Sequence, residues 1–159
     1  MHIFIMRHGE AELTQQNDRG RRLTEHGARQ AEKAGLWLNK CAKTMNAKFD
    51  CALVSPYRRA EQTFDHVKKH IQVDTQLSSS DFVPSGNVNI AQDFIEYLCK
   101  ENPDYDAMLI VSHMPFVSYF LDQLVAQPLS KIFTTASVVQ VDYDLEQGKG
   151  EFISEYMPG

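Results

Sequence analysis

The chain is short of cysteine, of excess basic charge and of long apolar runs, and each shortage excludes something. Its three cysteines, Cys41, Cys51 and Cys99, are odd in number, widely spaced and without a CxxC pair. That argues against a disulfide framework and for reduced thiols that pack as small apolar groups. Lys and Arg total 16 against 21 Asp and Glu, a net charge of −5, so a dedicated nucleic-acid binder is not expected. Arg7 and His8 interrupt the first apolar run too early for a signal peptide, and no stretch reaches the length needed to span a bilayer. No internal repeat or low-complexity linker divides the 159 residues. The expectation is one cytoplasmic domain over residues 1–159, with no membrane or nucleic-acid partner and enough chain to bury a core.

What is present is an alternation of strand and helix patterns. Short apolar runs at residues 2–6, 51–54 and 108–111 suit strands covered on both faces. Between them, Ala28, Ala31, Ala34, Gly35 and Leu38 share one helical face behind Thr24, an N-cap residue type. A second helix is predicted from Ser55-Pro56 to about His70, and a third over residues 88–100 with Ala91, Phe94, Ile95 and Leu98 as its stripe. A fourth starts near Pro115. Residues 137–143 and 150–156 read as a hairpin through Glu146-Gln147-Gly148-Lys149. The pattern predicts an α/β fold: a three-layer α/β/α sandwich whose central sheet is mostly parallel, with an antiparallel C-terminal edge.

In such a sheet, ligands bind beyond the carboxyl ends of the strands. Three predicted strand ends deliver Arg7-His8-Gly9, the segment Ser55-Pro56-Tyr57-Arg58-Arg59-Ala60-Glu61-Gln62-Thr63, and Ser112-His113-Met114-Pro115. A guanidinium beside an imidazole suits phosphate, because one group clamps oxygens while the other attacks phosphorus. Arg59, about one turn inside the predicted second helix, leans back toward the helix N-terminus, and the preceding Arg58 is expected to be exposed or to touch the substrate rim. His113 adds a donor at a third strand end. His66 and His70, four apart on a helix, read as a solvated face rather than a metal site.

Taken in order, FIMRHG, Arg21–Thr24 as RxLT, LVSPxxRAEQT, Pro84–Asn87, VSHxP and a late Phe133–Thr135 resemble the histidine phosphatase (phosphoglycerate mutase-like) superfamily. Within it the chain is similar to the small SixA-type phosphohistidine phosphatases. The resemblance implies that His8 is the nucleophile, phosphorylated on one ring nitrogen while a backbone carbonyl holds the other. It implies that Arg7, Arg59 and His113 complete the phosphate pocket, and that neither metal nor cofactor is used. A general acid is less obvious: Asp81 aligns approximately with that region, and Glu10 follows the RHG triplet directly. Residues 76–87 read as one short connection, with no room for a cap domain. An open pocket of that kind would admit a phosphohistidine carried on another protein, of the histidine phosphotransfer or phosphotransfer-system type, and the enzyme is expected to be a monomer. Arg21, with Arg22 beside it, is expected to steer an acidic partner or touch the phosphate edge. The alternatives are a small-molecule phosphomonoesterase or mutase of the same superfamily and a phosphate-recognition module without turnover.

Overall fold

The computed structural model describes residues 1–13 and 17–158, and its strands alternate their side chains between two separate cores. In chain order the elements are β1 (His2–Arg7), α1 (Glu25–Met45), β2 (Phe49–Val54), α2 (Arg58–Val67), β3 (Val73–Ser78), α3 (Val88–Glu101), β4 (Ala107–Ser112), α4 (Phe116–Leu124), β5 (Val138–Asp144) and β6 (Lys149–Tyr156). The sheet order is β3-β2-β4-β1-β5-β6. The first four strands are parallel, β5 runs antiparallel to β1, and β6 antiparallel to β5.

Every residue of β2 and β4 is buried, which explains the apolar runs at residues 51–54 and 107–111; the buried Asp50 carboxylate of β2 accepts the N–H groups of Asp106 and Ala107. The two-residue period then divides the side chains of the strands. Ile3, Ile5, Leu53, Met108 and Ile110 pack with Ile95, Phe116 and Phe120 of α3 and α4. Phe4, Met6, Val54, Leu109 and Val111 pack with Ala31, Ala34, Leu38 and Phe64 of α1 and α2. Two helices therefore cover each face, giving the three-layer architecture that the pattern predicts. Thr24 caps α1, its hydroxyl accepting from the Gly27 N–H at 2.9 Å.

Two expectations need correction. α2 begins at Arg58, not at Ser55-Pro56, and ends at Val67 rather than near His70. Residues 76–87 are not one connection, because β3 extends to Ser78 and a turn of 3-10 helix occupies Ser80–Phe82. β3 escapes prediction because it is an edge strand of sequence VDTQLS with mostly exposed residues, so no apolar run marks it.

Register aligns the three strand ends. Arg7 pairs with Ser112, and Val54 with Val111. Beyond the ladder, the His8 N–H donates to the Ser112 carbonyl and the Ser55 N–H to the Val111 carbonyl, both at 3.0 Å. The turn after β1 then presses backbone to backbone on α1. A Cβ on Gly9 would lie 2.6 Å from the Gly27 carbonyl oxygen, and one on Gly27 would collide with the Glu10 carbonyl. Gly27→Ala is accordingly expected to destabilise the protein by about 1–3 kcal/mol through overpacking, seen as a lowered denaturation midpoint. An unchanged midpoint would mean that this contact is slack.

Candidate active site

His8 emerges from β1 almost fully buried, at 5% exposure. Its Nδ1–H donates to the Gly9 carbonyl oxygen at 2.6 Å, which assigns the ring proton to Nδ1 because a carbonyl can only accept. Nε2 therefore carries a lone pair, and the Nε–H of Arg59 donates toward it at 3.3 Å.

Arg59 is the second residue of α2, nearer the helix end than the expected full turn inside, and is 3% exposed. Its Nη1 donates to the Asp18 carbonyl at 2.6 Å, and its Nη2 lies 3.4 Å from the Asp18 carboxylate. Thr63, one turn on, fastens this arginine to the RHG segment: its hydroxyl donates to the Arg59 carbonyl at 2.7 Å and accepts the Gly9 N–H at 2.9 Å. Arg58 is exposed, as helix geometry predicts. Arg7 donates from Nη1 to the Phe133 carbonyl at 2.8 Å. His113 follows β4, is 1% exposed, and sets its ring centroid 5.1 Å from that of His8. Its Nε2 is 2.7 Å from the Ser55 hydroxyl.

Among the described residues, two buried side-chain polar atoms lack a hydrogen-bond partner, and both belong to this cluster: Nε of Arg7 and Nδ1 of His113. A buried unpaired polar atom costs about 1–3 kcal/mol; two of them beside a guanidinium pair fit an anionic ligand. Burial, and secondarily the Arg59 and Arg7 charges, pushes the His8 imidazole down to about 3, against the opposing pull of the Gly9 carbonyl. Burial, then the neighbouring His8 and Arg59, pushes His113 down to about 2. Both rings are neutral at pH 7, while the arginines keep their charge. A bare imidazole nitrogen amid guanidinium and neutral imidazole donors can attack a centre whose oxygens carry spread negative charge.

The remaining sequence candidates fall around this cluster unequally. Arg21 is half-buried, and its Nε bonds the Asp18 carboxylate at 3.1 Å, so Asp18 joins Arg21 to Arg59. Arg22 is exposed and 3.8 Å from Glu12. The Asp81 N–H bonds the Ser79 hydroxyl at 3.1 Å, and the following Phe82 carbonyl accepts from Ser112. This ties the segment to the end of β4 without bringing the Asp81 carboxylate into a hydrogen bond with His8 or His113. The Glu10 carboxylate accepts from the Thr24 hydroxyl at 3.0 Å and stays exposed. His66 and His70 are not a merely solvated pair, since both bond the Glu32 carboxylate of α1, at 2.7 and 2.5 Å. Sequence reasoning missed Ser55, Asp18 and Tyr57, whose ring lies 5.0 Å from His113 and 5.1 Å from the Arg59 guanidinium. Ser55 and Tyr57 stood inside a motif already singled out; Asp18 carried no signal of its own. A separate groove of about 540 Å³, lined by Lys43, Lys48 and Asp106 among others, opens at the amino ends of the strands and holds no candidate nucleophile.

Residues 3–81 match the family model of the histidine phosphatase superfamily (branch 1). The chain is 34% identical over 148 residues to the phosphohistidine phosphatase SixA homolog of Haemophilus influenzae, covering 91% of this chain and 89% of that protein. It is 31% identical over 159 residues to the phosphohistidine phosphatase SixA of Escherichia coli, covering 99% and 94%. A solved structure of the protein histidine phosphatase SixA complexed with tungstate is similar at a TM-score of 0.88 and 30% identity, covering 99% of this chain and 97% of that one. The chain belongs to the histidine phosphatase superfamily. Both of these curated relatives and the solved structure carry the SixA name.

The buried neutral histidines make stability depend on pH. Both have folded values far below the 6.5 of an unfolded imidazole, so between those limits the unfolded chain binds more protons. Their contribution is complete above pH 6.5 and is lost as pH falls toward about 3 for His8 and about 2 for His113. Urea midpoints are expected to drop through this window, with a shallower drop in His8→Asn; equal slopes in both proteins would contradict the burial of a neutral His8.

Proposed function

We propose that this protein is a phosphohistidine phosphatase that takes the phosphoryl group from a histidine on another protein, with His8 as nucleophile. The observation that carries the reading is the unprotonated Nε2 of His8, buried against Arg59 and held in its tautomer by the Gly9 carbonyl. Nε2 attacks phosphorus as the P–N bond to the substrate imidazole breaks. That ring, already protonated on its other nitrogen, departs neutral with the bonding electron pair. The phosphorylated His8 then bears a formal positive charge that the Gly9 carbonyl stabilises through Nδ1–H. Water attacks the same phosphorus, phosphate leaves, and Nε2 regains its lone pair. Through both steps Arg7, Arg59 and His113 donate to the phosphoryl oxygens, whose charge is greatest in transit.

A P–N substrate also explains why the chemistry proceeds without Asp81 or Glu10 supplying a proton. The names of the relatives support the substrate class, and the tungstate in the SixA complex is a tetrahedral oxyanion of phosphate's shape. The donor set is cationic and neutral, poorly suited to a metal ion, and the proposed activity is metal-independent. The enzyme acts as a monomer in the cytoplasm on a phosphotransfer protein, whose acidic rim Arg21 and Arg22 attract.

A labelled phosphohistidine protein, a phosphoserine protein and p-nitrophenyl phosphate rank the substrate classes. The phosphohistidine protein is expected to be hydrolysed fastest, with or without EDTA, and His8→Ala is expected to abolish turnover while keeping its circular dichroism. Fastest hydrolysis of the ester would favour the small-molecule phosphomonoesterase, and an active His8→Ala would remove the covalent route. Reversing charge in Arg21→Glu/Arg22→Glu should lower kcat/KM toward the phosphoprotein about tenfold at low salt by removing steering. The effect should fade as salt rises; a loss independent of salt would instead mean that Arg21 touches the phosphoryl group.

A further inference from the structure

His113 is neutral and so has a single ring proton to place. We propose that Ser55 is a positioning residue that fixes this proton on Nδ1 of His113, where it is offered to a phosphoryl oxygen. The inference rests on the phosphatase reading for its use, but on hydrogen-bond geometry for its substance.

A serine hydroxyl has one proton to donate and two lone pairs to accept with. Ser55 has no solvent exposure. One of its lone pairs takes the Tyr57 N–H at 3.2 Å. Among the hydrogen bonds of the described residues, the one acceptor within reach of its own proton is Nε2 of His113, at 2.7 Å. The hydroxyl therefore donates, Nε2 accepts, and the ring proton sits on Nδ1. The opposite arrangement, Nε2–H donating to the hydroxyl, would strand the serine proton inside the protein. It would also turn a bare Nδ1 lone pair on any oxyanion seeking a donor. The nitrogen carrying the proton is set by the partner of the other nitrogen, and Nδ1 is the atom that has no partner within the protein.

The two histidines thus share one tautomer and present opposite ends. In His8 the Gly9 carbonyl takes Nδ1–H and leaves Nε2 free to attack. In His113 the Ser55 hydroxyl takes Nε2 and leaves Nδ1–H free to donate. The sheet supplies the alignment, because Ser55 follows β2 with its N–H on the Val111 carbonyl, two residues before His113. Hydroxyl and imidazole therefore leave neighbouring strands side by side.

Long-range ¹H–¹⁵N correlation of the wild-type protein at neutral pH reads the tautomer directly. His113 should show a protonated, pyrrole-like Nδ1 and a pyridine-like Nε2. Ser55→Ala should move the proton to Nε2 and lower kcat about 100-fold, the scale of losing one donor to the transition state. Ser55→Thr should keep both the Nδ1–H pattern and most of kcat. A wild-type His113 protonated on Nε2, or a Ser55→Ala variant unchanged in tautomer and kcat, would overturn the assignment. If either variant fails to fold, the wild-type spectrum decides alone. An Nδ1-protonated His113 in a protein that leaves phosphohistidine untouched would instead overturn the substrate reading and spare the role of Ser55.

Discussion

An imidazole nitrogen can attack phosphorus only while its lone pair is free, and a nitrogen surrounded by guanidinium groups meets that condition in an unusual way. Protonation of His8 would place a third positive charge beside Arg7 and Arg59 in a buried pocket, and burial alone already opposes it. The Gly9 carbonyl settles which nitrogen keeps the one remaining proton. The same surroundings that keep the proposed nucleophile neutral suit a phosphoryl group, so in the proposed reaction one arrangement of charge serves both ends.

Holding that arrangement is costly, since buried guanidinium groups lose hydration. Backbone carbonyls and the Asp18 carboxylate make up much of the loss. Arg7 is held by the Phe133 carbonyl, from the segment between α4 and β5. Arg59 is held by the Asp18 carbonyl, from the loop that precedes α1. Thr63 ties the first turns of α2 to Gly9, and Gly9 and Gly27 permit the approach of that turn to α1. Segments remote in sequence converge because β2, β4 and β1 are adjacent, in register and parallel, so their carboxyl ends open on one place. Two buried atoms, Nε of Arg7 and Nδ1 of His113, are left without partners among the described residues, and in the proposed reaction they donate to the phosphoryl group.

Much of this was readable from residue order, and for definite reasons. β1, β2 and β4 are covered on both faces, so each carries a run of at least four apolar residues that gives way to polar ones at its carboxyl end. The exposure of Arg58 beside a buried Arg59 follows from helix geometry. β3 was unreadable because an edge strand with exposed side chains has no apolar signature. The start of α2 was misread for a chemical reason. Ser55-Pro56 has the composition of a helix cap, yet the Ser55 hydroxyl faces His113 and the helix begins three residues later. Asp18, and Glu32 between His66 and His70, act across long sequence separations that no local pattern records. The carboxylates flagged by position, Asp81 and Glu10, are neighbours of the site in sequence order whose side chains the structure does not commit to it.

The account stands or falls on one atom, Nε2 of His8, and on the donors that face it. A crystal structure of the protein with orthovanadate, which adopts the trigonal-bipyramidal geometry of a phosphoryl group in transfer, tests both together. The expected result is vanadium bonded apically to His8 Nε2, with equatorial oxygens on the guanidinium groups of Arg7 and Arg59 and on Nδ1 of His113. Vanadate bonded to another residue, or held at the strand ends with Nε2 of His8 turned away, would contradict it.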